Sequence, residues 1–225
     1  MAKKKQMIEE PGYIRPCRIE PMSINIEHYS GEHLAANINI LAEFRLRYFR
    51  EFPYLYAGTE EGERNHIAGY IANPTARLIL ARDINVSSKI IGVAIGTMLS
   101  TEAEILRQID DQLQCCEIIP EQCYYFGEMI FVPEYRHRGI GKQMLEALKK
   151  EGKDQSASRF CFCAVAREHN DPRQPAGHID TDIIFRKFGF EKTHLFVTFE
   201  WATIQIDGSI ETSPSRLDLW SNQRE

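Results

Sequence analysis

Two runs of the chain, 124–132 (YYFGEMIFV) and 160–166 (FCFCAVA), leave almost no polar face whichever way a strand formed from them is turned. Strands of that kind must be covered on both sides, which is the situation of parallel strands packed between helices. Between them lies a helix-period segment, about 141–153, with Met144, Leu145 and Leu148 on its inner face. Strand, helix and strand in that order predict a crossover-linked parallel pair, so the fold class is α/β. The length of 225 residues, with 43% hydrophobic and 26% charged, suits a domain with a substantial core and excludes a disordered or fibrous chain.

The rest of the chain fits around that unit. Residues 23–30 alternate loosely, with Ile24, Ile26 and His28 on one face, and predict a first strand. Ser30 stands where a helix N-cap would. Leu34, Ile38, Leu41, Phe44, Tyr48 and Phe52 follow at steps of three and four, one face of a helix that Pro53 ends. A turn-rich stretch with a short helix near 63–71 leads to two strands, 76–83 and 89–99, joined by a polar turn. Residues 101–113 predict a helix with Thr101 and Glu104 in capping-box register. After the long polar loop 167–180, a helix near 181–188 is closed by Gly189, and 194–202 returns as a strand. The expected organisation is an extension at 1–22, one domain over 23–206 and a C-terminal segment at 207–225.

Charge and cysteine usage narrow the function. With 27 basic and 32 acidic side chains the net charge is −5, no footprint for sequence-independent nucleic-acid binding. No run approaches the ~18 apolar residues of a membrane span. Glu9, Glu10, Pro11 and Gly12 stand where a secretory leader needs apolar residues, so the expected location is cytoplasmic. Six cysteines (17, 115, 116, 123, 161 and 163) are too sparse for a disulfide scaffold and read as thiols. Cys161 and Cys163 share a strand face, but no partner at ligand spacing completes a zinc site, and no metal is expected.

The most informative stretch is VPEYRHRGIGK at 132–142, between a buried strand and an amphipathic helix. Its glycines let backbone approach a ligand, and the helix beyond offers unpaired N–H donors at the positive end of its dipole. With Arg136, Arg138 and Lys142 around those donors, the segment reads as a phosphate or pyrophosphate cradle. A Walker A loop is excluded, since Arg136 and Gln143 occupy its first Gly and its Ser/Thr positions. A dinucleotide fingerprint is excluded by Met144 in place of its third glycine.

The remaining pattern, Arg136-x-x-Gly139-x-Gly141, resembles the acyl-CoA-binding signature of the GNAT superfamily of N-acetyltransferases. The preceding apolar strand with Pro133, and Gly189-Phe190 closing the later helix, are similar to the family's flanking elements, and the resemblance spans about 23–203. It implies the GNAT fold: a mixed, twisted central sheet with helices on both faces and a splay between strands 4 and 5. It also implies that backbone N–H groups of Arg138, Gly139, Ile140, Gly141 and Lys142 hold the pyrophosphate of acetyl-CoA. Arg136, His137 and Arg138 complete that loop, while Ile130, Phe131 and Val132 lie along the pantetheine arm. The backbone at Ile130 and Val132 is the expected pairing edge, and an N–H near Val132 the expected polariser of the thioester carbonyl.

Glu128 is the residue that stands out chemically. A carboxylate in an otherwise apolar strand is costly unless it has a partner or a task. Alternation places it with Tyr124, Phe126, Ile130 and Val132. An alkylammonium must lose a proton before it attacks a thioester, and a carboxylate whose pKa burial has raised can take it. The resemblance implies the same role for a glutamate of this strand; a structural salt bridge is the alternative. The tyrosine that protonates the leaving thiolate in many relatives is Phe185 here, and the asparagine ahead of it is His178. Tyr124, Tyr125 and His169 are weak substitutes, so the general acid stays unassigned. The loop 53–64, with Tyr54, Tyr56, Glu60, Glu61 and Glu63, would suit a cationic amine, and loop 167–180 a covering role.

The expected activity is transfer of an acetyl group from acetyl-CoA to a primary amine, of a small molecule or of a protein lysine or N-terminus, by direct attack in a ternary complex. The alternatives are a non-catalytic acyl-CoA-binding module on the same fold and an acyltransferase for longer acyl chains. Neither nucleic acid nor membrane is an expected partner, and the chain is expected as a monomer or homodimer.

Overall fold

The computed structural model describes residues 23–168 and 170–222. The extension at 1–22 with Cys17, and His169, lie outside the described residues. In chain order the elements are β1 (Ile24–Tyr29), α1 (Gly31–Asn37), α2 (Asn39–Tyr48), α3 (Glu60–Ala72), β2 (Arg77–Asp83), β3 (Lys89–Met98), α4 (Ala103–Leu113), β4 (Cys123–Phe131), α5 (Ile140–Asp154), β5 (Arg159–Val165), α6 (Thr181–Lys187), β6 (Phe190–Ile204) and β7 (Ile210–Asn222).

The strands form one seven-stranded sheet in the order β1-β2-β3-β4-β5-β7-β6. Among these pairs only β4 and β5 run parallel, as the two apolar runs require. Their pairing is short, from Cys123↔Arg159 to Tyr125↔Cys161, after which the strands diverge. β5 carries on beside β7 from Cys161↔Ser221 to Val165↔Leu217, so its far edge is committed while β4 is left open. That divergence is the splay expected between strands 4 and 5.

Helices cover both faces. Tyr124, Phe126, Met144, Leu148, Phe160 and Trp220 pack into a core under α5. Leu34, Ile38, Leu41, Ile67, Ile130 and Val132 form the opposite core under α1 to α3. A third cluster, with Ile105, Ile109 and Leu113 of α4 over Leu195, Val197 and Leu219, closes the β6–β7 end.

Four local expectations change. The single helix ending at Phe52 is two, α1 and α2, joined at Ile38, where Leu41 N–H donates to the Ile38 carbonyl in a tighter three-residue turn. Ser30 precedes α1 without a capping side-chain bond. The Thr101–Glu104 capping box does not form. Thr101 is drawn into a 3₁₀ turn, where its hydroxyl donates to the Met98 carbonyl, and Glu104 pairs with Arg107 instead. Finally, the segment set apart at 207–225 supplies β7, hydrogen-bonded to β5 on one side and β6 on the other.

The change that matters most for the site is in β4. The β3–β4 register passes from Ile95↔Glu128 to Gly96↔Phe126, leaving Gly127 as an extra residue in a β-bulge. The Tyr70 hydroxyl lies 2.5 Å from where a Cβ on Gly127 would sit, so any side chain there would have to push the Tyr70 ring aside. A bulge shifts the alternation by one. Tyr124 and Phe126 therefore face α5, while Ile130 and Val132 face the other core. Glu128 joins Ile130 and Val132 on the α2–α3 side, and its expected company with Tyr124 and Phe126 is corrected.

Candidate functional site

The segment at 132–142 turns sharply into the start of α5. Gly139 adopts φ +80° at the N-cap of α5, a left-handed conformation costly for residues with a Cβ, and no side chain caps the helix. The first N–H groups of α5 therefore point outward without intrahelical acceptors. His137, exposed, also turns through positive φ, at 62°. Arg136 reaches Glu51 at 3.2 Å, Arg138 lies over the Tyr135 ring, and the exposed Lys142 stands in the first turn of α5. Ile140 is buried in the core below.

The open edge of β4 lies beside this helix start. Val132 donates its N–H to the Ile91 carbonyl in the β3 direction, at 2.9 Å. In an antiparallel ladder successive residues turn their backbone groups to alternate sides. Ile130 thus also pairs with β3, opposite Val93, and the groups that face the splay belong to Met129 and Phe131. The pairing edge expected at Ile130 and Val132 is corrected accordingly. Those two residues instead bury their side chains on the face that holds Glu128.

On that face the structure assembles a buried charge cluster that no motif announced. Arg45 of α2 donates to Oε1 of Glu128 and, at 2.6 Å, to Oε2 of Glu63 on α3. Tyr56 donates its hydroxyl to the other Glu63 oxygen at 2.7 Å. His66, one turn along α3, sits 2.7 Å from the same Oε1 of Glu128. The Glu128 side chain is 6% exposed, and its Oε2 is buried without a hydrogen-bond partner. Burial pushes the Glu128 carboxyl up, but the Arg45 guanidinium and the His66 hydrogen bond outweigh it and hold the group below the usual carboxylate range. The expectation of a pKa raised by burial is thereby reversed.

A second carboxylate lies near the first. Glu102, just ahead of α4, accepts the Thr97 hydroxyl at 2.6 Å, and burial raises its pKa while the His66 side chain opposes the rise. Tyr54 is close enough to feel Glu128, and burial with that charge pushes its hydroxyl up to about 12.

The two loops expected on the acceptor side meet. Arg167 donates to the Pro53 and Tyr54 carbonyls at 2.7 and 3.0 Å. Residues 55–57 lie along β6, with Ala57 N–H to Ala202 and Ile204 N–H to Leu55, and Trp201 packs near Tyr54 and Tyr56. Of the acidic residues in 53–64, Glu63 is buried and engaged, whereas Glu60 and Glu61 are exposed in the first turn of α3.

The remaining candidates take other roles. Phe185 packs its ring against Phe162 and Trp220, and His178 stands edge-on to Phe52. The Tyr124 hydroxyl is buried on the α5 side, away from Glu128; Tyr125 shares the Glu128 side, beside Cys163 and Glu102. Burial pushes the Cys163 thiol up to about 12, and the Cys123 contact and burial raise that of Cys161. Both behave as small buried hydrophobes. No helix of the described residues is long and apolar enough to cross a membrane.

Comparison with known proteins agrees with this architecture. A family model described as the acetyltransferase (GNAT) family matches residues 36–176. No curated protein matches the chain in sequence. Among solved structures, the Drosophila melanogaster polyamine N-acetyltransferase that forms N-acetylagmatine superposes with a TM-score of 0.54 at 11% identity, over 88% of this chain and 99% of that one. A mosquito arylalkylamine N-acetyltransferase, like 5b, gives 0.54 at 15% identity, over 88% and 99%. AAC(6')-Iy, in complex with a bisubstrate analogue of CoA and acetylneamine, gives 0.51 at 14% identity, over 77% and 94%. At such identities these likenesses speak for the fold.

Proposed function

The chain belongs to the GNAT acetyltransferase family, and from that premise we propose that it is an acetyl-CoA-dependent N-acetyltransferase acting on a primary amine in a ternary complex. The observation that carries this reading is the Glu128 oxygen, buried and unpartnered, on the strand whose open edge leads to the uncapped start of α5. In this reading the α5 N–H groups, with Arg136, Arg138 and Lys142 around them, hold the pyrophosphate of acetyl-CoA. The Met129 and Phe131 backbone pairs with the pantetheine arm along the open edge. The acceptor enters between loops 53–64 and 167–180. Glu128 receives its ammonium group and promotes its deprotonation, after which the amine attacks the thioester carbonyl. Positioning contributes much of the rate, because Phe185 has no proton to give the departing thiolate.

The test is release of free thiol from acetyl-CoA against a panel of polyamines, agmatine, arylalkylamines, aminoglycosides, amino acids and lysine peptides. The expected result is release that depends on one class of amine. Acetyl-CoA binding by calorimetry with no acceptor-dependent release would turn the reading to a non-catalytic acyl-CoA-binding module. Faster release from longer acyl-CoAs would change the donor.

The cradle has its own test. Gly139→Val forces a β-branched residue into the left-handed region, at about 1–3 kcal/mol of strain where pyrophosphate would dock. Acetyl-CoA affinity should fall by roughly 10-fold to 100-fold, at about 1.4 kcal/mol per decade. Unchanged affinity would remove this loop from the donor site.

A further inference from the structure

Glu128 and His66 differ in a way that bears on where a proton goes. Glu128 is 6% exposed, whereas the His66 side chain bonded to it is 36% exposed. Oε1 of Glu128 receives both Arg45 and His66, while the buried Oε2 receives nothing. A buried acceptor oxygen without a donor is unfavourable unless a ligand supplies one.

Acyl transfer to an alkylammonium removes two protons from nitrogen. One ends on the CoA thiolate, and the other must reach bulk water in every turnover. A carboxylate that Arg45 keeps ionised is a firm anchor for a cation but a weak base toward it. Imidazole is the side chain whose chemistry suits proton uptake near neutrality.

We infer that His66 takes the amine's proton and delivers it to bulk water, while Glu128 remains the anion that holds the imidazole through Oε1 and the ammonium through Oε2. An N–H bond of the ammonium breaks and an N–H bond forms at Nδ1 of the neutral ring through bridging water, because with Nε2–H on Glu128 this nitrogen faces away from the carboxylate. Nε2–H keeps donating to Glu128 throughout. The imidazolium then gives its proton to bulk water. The free amine attacks, the C–N bond forms, the C–S bond breaks, and the second proton ends on sulfur. The groups facing His66 are Glu128 on β4, Glu102 ahead of α4 and the Tyr70 ring, edge-on at 5.3 Å, with Arg45 of α2 behind Glu128.

This inference rests on the N-acetyltransferase reading, and the experiment separates the two. The kinetics of His66→Gln and Glu128→Gln are followed from roughly pH 6 to 10 with the best amine of the panel, beside His66→Ala with added imidazole. His66→Gln should lower kcat by about 10²-fold near neutrality and leave the KM for acetyl-CoA unchanged. The deficit should close as the pH nears the amine's own pKa, ~10.4, where free amine no longer needs a base. Imidazole should restore turnover to His66→Ala. Full kcat in His66→Gln, or a deficit constant across pH without imidazole rescue, would overturn the role. An inactive Glu128→Gln beside a fully active His66→Gln would assign the proton to Glu128 itself and leave the N-acetyltransferase reading standing. Absence of acceptor-dependent turnover in the wild type would remove both.

Discussion

Glu128→Gln should lower turnover by about 10²–10⁴-fold while acetyl-CoA binds nearly as well as to the wild type. Glutamine has nearly the same shape and can still accept from Arg45. It presents no anion to an incoming ammonium, and it no longer draws the imidazole of His66 as a carboxylate does. The proposed donor site lies apart, at the start of α5 and the open edge of β4, so calorimetric affinity for acetyl-CoA should hold. Removing the charge also weakens a buried ion pair, so kcat must be referred to folded protein by circular dichroism. Wild-type turnover in this variant would exclude Glu128 from the chemistry and leave it a structural partner of Arg45.

Arg45→Leu should cost about 3–5 kcal/mol of stability, because it strands two buried carboxylates, Glu63 at 1% exposure and Glu128 at 6%. For a domain of this size the melting temperature should fall by roughly 6–20 °C. The pH dependence follows from the direction of the Glu128 shift. In the wild type its folded pKa lies below the unfolded value of ~4.3, so its stabilising contribution is fully present above that value and is lost as pH falls through the folded pKa. Without Arg45, burial dominates and the folded pKa rises above the unfolded one. The variant then loses stability as pH rises from the unfolded toward the raised folded value, and recovers it on acidification. The gap between wild-type and Arg45→Leu melting temperatures should therefore narrow from pH 7 toward pH 4. A gap independent of pH would mean that Arg45 supports the fold through its contacts with the Phe49 and Tyr56 rings rather than through its pairs with the two carboxylates.

Some of the buried cluster left a trace in the sequence. Glu63, Ile67 and Tyr70 occupy one buried stripe of α3 at steps of four and three, so a carboxylate stands where an apolar residue belongs. Arg45 stands likewise four residues from both Leu41 and Phe49 on the inner face of α2. Each misfit could have been seen alone. Their pairing could not, since Arg45 and Glu128 are 83 positions apart and meet only because α2 packs across β4. His66 carried no signal, being one polar residue on the exposed side of a helix.

The sequence by itself determined the β4–α5–β5 unit, the parallel pairing of β4 with β5 and the form of the loop at 136–142. It also singled out Glu128 as a carboxylate in an apolar strand. These features are written in local terms: hydrophobic period, glycine and proline placement, and the run of residues within one turn. Only the tertiary structure decided which way Glu128 faces, because one extra residue at Gly127, fitted under the Tyr70 hydroxyl, shifts the alternation of the strand. It likewise decided that Met129 and Phe131, rather than Ile130 and Val132, offer their backbone to the splay, and that the polar segment after residue 207 completes the sheet as β7. The physical reason is common to all three. Register and ion pairing are settled between segments distant in the chain, where the energy of a contact depends on what lies opposite it and not on what precedes it.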